Sequence, residues 1–300
     1  MKIGVVTITY NSSKVVVDFL KSLSKQTYSD FKLYIIDNNS KDDTIDLIKK
    51  NCLDSQVLIR NKLNIGVAAG NNLGIKESLD DNCQFVLLIN NDTVFEKNLL
   101  EKLINSYKTY SSTIITPKMM YYDAKDTIWY AGGFLNKKKG YLNYHRGQDL
   151  KDLGQFSNND IVTYSPTCCT LIHKSVFLDI GLMDEKYFVY FDDTDFFYRV
   201  YKHGKHEVRY INNIKFYHKI GSLTKSRKDL EKSKYGDFFI KQMICNQIYF
   251  LKKQKKIYAF MYIFYTIIKI HIMFFIGKKY TRDFRTFIII YKSIFRGLFL

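Results

Sequence analysis

Five side chains in this 300-residue chain could do chemistry together. The stretch YFVYFDDTDFFYRVYKHG, residues 187–204, sets Asp192, Asp193 and Asp195 among aromatic residues. Asp at a helix start caps free N–H groups and suits the positive end of the dipole. A carboxylate held between apolar walls can also act as a general base, and crowding of like charges raises the proton affinity of one of them. Asp92 closes LLINND, residues 87–92, where a turn accounts for it as well as ligation of a hard divalent cation does. His218 ends IKFYH. A lone histidine is more often structural than a ligand. Asp92 and His218 nevertheless make sense together, as two ligands of one cation that also binds phosphate oxygens.

These residues need a scaffold, and the hydrophobic pattern supplies one. Residues 3–9 form a β-branched run, followed by NSSKVVVDFLKSLSKQ with Val15, Val16, Phe19, Leu20 and Leu23 at helical spacing behind a Ser/Asn cap. FKLYIID (31–37) reads as a strand, and Ser40 caps the helix KDDTIDLIKK with Asp43 as its capping-box partner. QVLIRN and QFVLLIN are further strands, the second followed by a helix over 96–109. Alternation of strand and helix over the first ~115 residues implies an α/β fold, a mostly parallel sheet with helices on both faces. Ligands of such sheets bind beyond the carboxyl ends of the strands. The residues there are Tyr10 and Asn11, DNNS (37–40), NKLNIG (61–66) and NND (90–92).

Glycines 66, 70 and 74 in NIGVAAGNNLGI lack the G-x-G-x-x-G spacing, which disfavours a dinucleotide fold and suggests a helix packed closely through small residues. A hairpin signal, AGGFLNKKKGYLNYHRG, precedes an irregular segment to about residue 163. TYSPTCCTLIHKSVFLDIG then gives a strand and a short helix, another helix runs from near Asp192 to near Gly204, and EVRYI and IKFYH are two short strands.

Charge divides the chain. Residues 1–200 hold 24 Lys/Arg against 24 Asp/Glu, and residues 201–300 hold 22 against 5, so the whole excess of +17 lies in the last third. A balanced body with a basic tail points to an anionic partner, a membrane surface or a nucleic acid. The five cysteines are odd in number and show no C-x-x-C spacing, so neither a disulfide framework nor a zinc site is indicated, and Cys168 and Cys169 read as core packing. The opening MKIGVVTITYN is too short for a secretory apolar region. A reduced, cytoplasmic setting is expected.

Taken in order, TITYNS, IIDNNSKDDT, NIGVAAGNNLGI, LLINNDTVF, TCCTLIHKSVFLDIGLMDEKYFVYFDDTDFFYRVYKHG and FYHKIGS resemble the inverting family 2 glycosyltransferases, in particular the rhamnosyltransferase-like bacterial branch. The resemblance spans about residues 3–225. It implies a GT-A fold with a nucleotide-binding half at about 1–115 and an acceptor and catalytic half at about 116–225. It further implies a nucleotide-diphospho-sugar donor, a glycan or lipid-linked glycan acceptor, a divalent metal (Mn²⁺ or Mg²⁺) and a role in bacterial surface polysaccharide synthesis. By the same resemblance Asp37 hydrogen-bonds the donor base, Tyr10 sits where the loop after the first strand covers that base, and Thr9 belongs to the nucleotide-sugar site. Asn64 and Gly66 match the N-x-G of the nucleotide pocket, and Asn90 and Asn91 belong to the donor site. Asp92 and His218 match the metal ligands, and Asp193 matches the catalytic base, with Asp192 capping the helix and orienting it. Asn90 stands where the first acid of the D-x-D element is expected, so little metal should bind without donor.

The tail, residues 226–300, reads as helical. Ile257 to Ile276 is about twenty residues, enough to span ~30 Å. Lys269 and His271 argue against a lipid-buried span, and lysines at 252, 253, 255, 256, 278 and 279 flank it. With Arg282, Arg285, Lys292 and Arg296 beyond, the pattern suits helices lying on an anionic membrane surface at the inner face of the cell membrane. Packing on the body is the plainer alternative. Nucleic-acid binding is disfavoured, because the basic residues sit in an apolar helical tail and not along a sheet of stacking aromatics. A non-catalytic nucleotide-sugar binder is the remaining alternative.

Overall fold

The computed structural model describes residues 1–219, 236–277 and 280–300. The N-terminal body begins with β1 (Ile3–Thr9), α1 (Val16–Ser24), β2 (Phe31–Asp37), α2 (Thr44–Lys50), β3 (Gln56–Arg60), α3 (Gly66–Asp80) and β4 (Phe85–Ile89). β1 pairs in parallel with both β2 and β4, and β2 with β3, so the strands end on one edge. α3 lies close on this sheet through its small residues: a Cβ added at Gly74 would sit 2.3 Å from Val6 Cγ1. That agrees with the close helix packing expected of the glycine pattern.

Next come β5 (Thr93–Phe95), α4 (Leu99–Tyr110), β6 (Ile114–Tyr121), β7 (Ile128–Tyr130), the antiparallel pair β8 (Gly133–Asn136) and β9 (Leu142–His145), β10 (Ile161–Val162), β11 (Cys169–His173), α5 (Lys174–Ile180), α6 (Asp192–His203) and β12 (Val208–His218). The large sheet runs β10-β12-β6-β11-β4-β1-β2-β3. β11 is antiparallel to β4, with Cys169 opposite Ile89. Its preceding residue Cys168 therefore receives the Asn90 N–H, at 3.1 Å. β12 pairs with β5 so that His218 faces Thr93, and Lys219 N–H bonds Asp92 O at 2.8 Å. Sheet topology alone thus brings residues 90–92, 168 and 218 to one rim.

Several local expectations are corrected. α1 starts after Val15 with no side-chain cap, and the Ser12 carbonyl takes the Val15 and Val16 N–H groups instead. Ser40 does not cap α2; its hydroxyl donates to Asp37 Oδ1 at 2.6 Å, and Asp42 serves Thr44 at the helix start. The helix expected at 96 begins at Leu99. The two short strands are one, β12, with an irregularity between Ile211 and Lys215. β6 was not anticipated, because Pro117 and Lys118 interrupt its apolar run; all eight of its residues are buried, Lys118 by pairing with Asp152 at 2.9 Å.

The tail contributes α7 (Asp237–Lys253), α8 (Ile257–Ile276) and α9 (Phe284–Phe299). A second apolar cluster joins Tyr141, Tyr187 and Phe191 of the body to Ile244, Ile248 and Phe250 of α7, Ile263 of α8 and Ile290 of α9. α8 buries Ala259, Ile263, Thr266 and Ile270 and leaves Met261, Phe264, Ile268 and Phe275 exposed. It is the one helix among the described residues long and apolar enough to cross a membrane. The expected boundary at residue 225 and Lys278 and Lys279 lie outside the described residues.

Candidate active site

The acidic stretch is delivered by an unusual turn. Residues 184–191 run over the start of α3, where Val67 N–H bonds Phe188 O at 2.6 Å. Gly66 (φ +87°) permits that approach, since a Cβ there would lie 2.4 Å from Phe188 O. Tyr190 (φ 66°) and Phe191 (φ 68°) then both adopt the left-handed conformation. Two bulky residues in that region cost about 1–3 kcal/mol each and persist only where surrounding contacts hold them. The turn ends with Phe191 at the N-cap of α6, and no side chain caps the helix.

The three carboxylates have separate occupations, and none of them caps the helix. Asp195 is buried and ion-paired, to Arg199 Nε at 2.9 Å and to Lys253 Nζ of α7 at 2.8 Å. Asp193 accepts from the Tyr164 hydroxyl at 2.6 Å, from Thr194 N–H at 2.6 Å and from the Thr194 hydroxyl at 3.2 Å. Asp192 is the first residue of the helix and is buried, but it is not the cap. Burial, then the Asp193 charge, pushes the Asp192 carboxyl up to about 8, and burial raises Asp193 as well. Burial and mutual repulsion oppose ionisation of both carboxyls together, and the donors arranged around Asp193 favour ionisation there.

Two cavities meet beside this pair. One of about 450 Å³ is lined by Tyr10, Asn38, Asn64, Gly66, Asn91 and Asp92. The other, about 520 Å³, includes Trp129, Tyr164, Asp192, Asp193 and His218. Val67, Asn90, Val189 and Tyr190 line both, so Asp92, Asp193 and His218 converge on one cleft at the sheet rim. Thr9 and Asp37 do not reach it. Asp37 is fully buried beneath the floor, accepting from the Thr9 hydroxyl at 2.9 Å, the Ser40 hydroxyl and the Ser40 N–H at 3.0 Å. The sequence reading has Asp37 bonding the donor base; in this fold its carboxylate and the Thr9 hydroxyl are bonded within the loop. Asn38, one of the strand-end residues DNNS (37–40), lines the cavity and its Nδ2 donates to Gly66 O at 3.0 Å.

Asp92 Oδ1 and His218 Nε2 are 3.0 Å apart. Asp92 Oδ1 and His218 Nδ1 are buried without hydrogen-bond partners. A carboxylate oxygen left unsatisfied beside an imidazole nitrogen is the donor set a divalent cation would take. Among the described residues no cluster of three or more His, Cys, Asp or Glu is placed to hold a metal, and Asp92 and His218 are the two of these types that meet here. The Trp129 ring meets both His218 and His145 edge-on, at 4.8 Å. Burial holds the His145 imidazole down to about 4, so the ring behind the site is neutral.

The pattern of glycosyl transferase family 2 matches residues 4–181. The chain belongs to that family. Among its relatives is the low-salt glycan biosynthesis hexosyltransferase Agl10 of Haloferax volcanii, 24% identical over 208 residues, which cover 66% of this chain and 61% of that protein. The chain thus spans about three fifths of that relative's length. Among solved structures, Staphylococcus aureus TarS (residues 1–349) with UDP aligns with a TM-score of 0.55 at 18% identity, over 83% of this chain and 66% of that one. GalNAc-T7 with UDP, GalNAc and Mn²⁺ aligns with a TM-score of 0.59 at 13% identity, over 73% and 44%. The fold of this family 2 chain is GT-A, as the sequence resemblance implied. The matched residues stop before the acid pair, His218 and all three tail helices.

Proposed function

We propose that the chain transfers a sugar, with inversion, from a nucleotide-diphospho-sugar to a hydroxyl of a glycan or lipid-linked glycan, in assembly of a bacterial surface polysaccharide. The observation that carries this reading is the shared cleft, with a nucleotide-sized cavity on one side of Asn90 and the acid pair on the other. In this reading Tyr10, Asn38, Asn64 and the backbone at Gly66 receive the nucleotide. An acceptor hydroxyl in the second cavity attacks the anomeric carbon opposite the leaving nucleotide, and ionised Asp193 takes its proton. Protonated Asp192 leaves the negative charge of the pair on Asp193, and Tyr164 holds that carboxylate in one orientation. A Mn²⁺ or Mg²⁺ ion held by Asp92 and His218 would offset the charge of the diphosphate.

The partner of the tail, in the same proposal, is an anionic membrane surface at the cytoplasmic face. The exposed apolar side of α8, within a region of 22 cations against 5 carboxylates, supports it.

Asp193→Asn tests the reading. Transfer, followed by nucleotide release across a panel of nucleotide-sugars, should fall by ~10³ or more while nucleotide binding persists. Comparable turnover in Asp193→Asn would remove the assignment, and a loss confined to Asp192→Asn would move the base to Asp192. An axial or equatorial product that keeps the donor's anomeric configuration would contradict inversion.

A further inference from the structure

We propose that α7, which lies beyond the residues the family pattern matches, builds the acceptor-contacting wall of the cleft, with Gln247 the side chain that hydrogen-bonds the hydroxyls of an acceptor sugar. The proposal rests on the transferase reading above and names its acceptor side.

Met243 and Gln247 stand one helical turn apart on α7 and line the cavity that holds Asp192, Asp193 and Trp129. Their position relative to the acid pair is fixed by polar bonds. Asn246, itself 2% exposed, donates from Nδ2 to Val189 O at 2.9 Å and to Tyr190 O at 3.0 Å, gripping the strained turn that aims the two carboxylates. Lys253 pairs with Asp195 at 2.8 Å and with Asp184 at 2.7 Å, and the Tyr249 hydroxyl reaches Asp184 at 2.9 Å. A helix tied at three points to the elements bearing the acid pair is a wall of the site as rigid as the sheet rim opposite.

The chemistry of that wall suits a sugar. A primary amide offers both a donor and an acceptor, which vicinal hydroxyls can meet together. The neighbouring Trp129, Leu142, Val189 and Met243 supply apolar surface for the C–H face of a pyranose. Among the described residues the Gln247 amide has one bond, Nε2 to the Thr266 hydroxyl of α8 at 3.4 Å, at the long limit for such a contact. That leaves its carbonyl oxygen for a ligand.

The test compares Gln247→Leu with Thr266→Val, which removes the same internal bond from the other side, and with Met243→Trp, which fills the cavity. The full chain is assayed with a panel of octyl glycosides as acceptors. Because Trp129 is the sole tryptophan of the wild-type chain, its emission also reports glycoside binding without turnover there and in Gln247→Leu and Thr266→Val, and binding to Met243→Trp is read by calorimetry. Gln247→Leu should raise the acceptor KM, and the midpoint of the fluorescence titration, about tenfold, against less than about twofold in donor KM. Thr266→Val should shift the acceptor values by less than about twofold, and Met243→Trp should abolish glycoside binding while nucleotide still binds. Equal acceptor values in Gln247→Leu and wild type, or a Thr266→Val variant that copies Gln247→Leu, would overturn the proposal. Glycosides that perturb Trp129 in a protein that transfers nothing would instead sink the transferase reading, with the role of Gln247 still decided by the titration.

Discussion

The Tyr164 hydroxyl donates to Asp193 Oδ2 at 2.6 Å. This bond favours the ionised carboxylate and so works against burial, which drives the Asp193 carboxyl upward. Tyr164→Phe removes the donor and keeps the ring. The acid limb of the kcat/KM profile should then move to higher pH, by about one unit, with donor KM little changed. An unmoved acid limb would mean that Asp193 is not the group whose ionisation the profile reports.

With two protein ligands, Asp92 and His218, metal affinity should depend on the donor's own phosphates. Mn²⁺ alone should leave the melting temperature nearly unchanged. A nucleoside diphosphate at a hundredfold excess over its Kd stabilises by about 2.7 kcal/mol, and most of that should require Mn²⁺. Asp92→Asn should abolish the Mn²⁺-dependent part. Tight calorimetric binding of Mn²⁺ to the free protein would contradict the two-ligand site.

Much of this arrangement was legible in the residues. The β-branched runs of β1, β2 and β4 announce themselves, and the polar residues that follow them do line the cleft. Asp193, Asp92 and His218 were found because carboxylates and imidazoles at strand or helix ends are few. Three features were hidden for physical reasons. The left-handed turn before Asp192 is formed by Tyr190 and Phe191, residues that disfavour that conformation and are held in it by Asn246, more than fifty positions away. Asp37 has the right type at the right strand end, yet it is buried and accepts from its neighbours Thr9 and Ser40, a local network that its type does not announce. Met243 and Gln247 carry no local signal within a basic, aromatic tail, and only the packing of α7 against the body brings them to the acid pair.

The outward side of α8 presents Met261, Phe264, Ile268 and Phe275. Insertion of each such side chain into an interface contributes roughly 1.5–3 kcal/mol, so two charges placed there should be decisive. Phe264→Asp with Ile268→Asp should abolish co-sedimentation with phosphatidylglycerol vesicles and leave the melting temperature nearly unchanged, because neither residue faces the core. Removal of the whole tail would be a poor substitute, since α7 goes with it. Undiminished vesicle binding by the double variant would show that α8 is not the contact.

Lys118 and Asp152 form a nearly buried ion pair at 2.9 Å, which Lys215 joins at 2.6 Å. The two lysines more than offset burial and hold the Asp152 carboxyl down to about 2. A depressed carboxyl contributes stability that is present above its ordinary value near 4 and is lost as pH falls through about 2. Asp192 has the opposite sign: raised to about 8, it contributes stability that is present below about 4 and is lost as pH rises through about 8. Lys118→Met leaves Asp152 with Lys215 as its remaining cationic partner and should cost about 1.5–3 kcal/mol in urea unfolding at pH 7. The gap between variant and wild type should shrink towards pH 2, where Asp152 takes its proton in both. In the same assay Asp192→Asn should flatten the fall in stability between pH 5 and about 8. A Lys118→Met penalty that stays constant over the whole range would assign the cost to packing of the lysine stem and not to its charge.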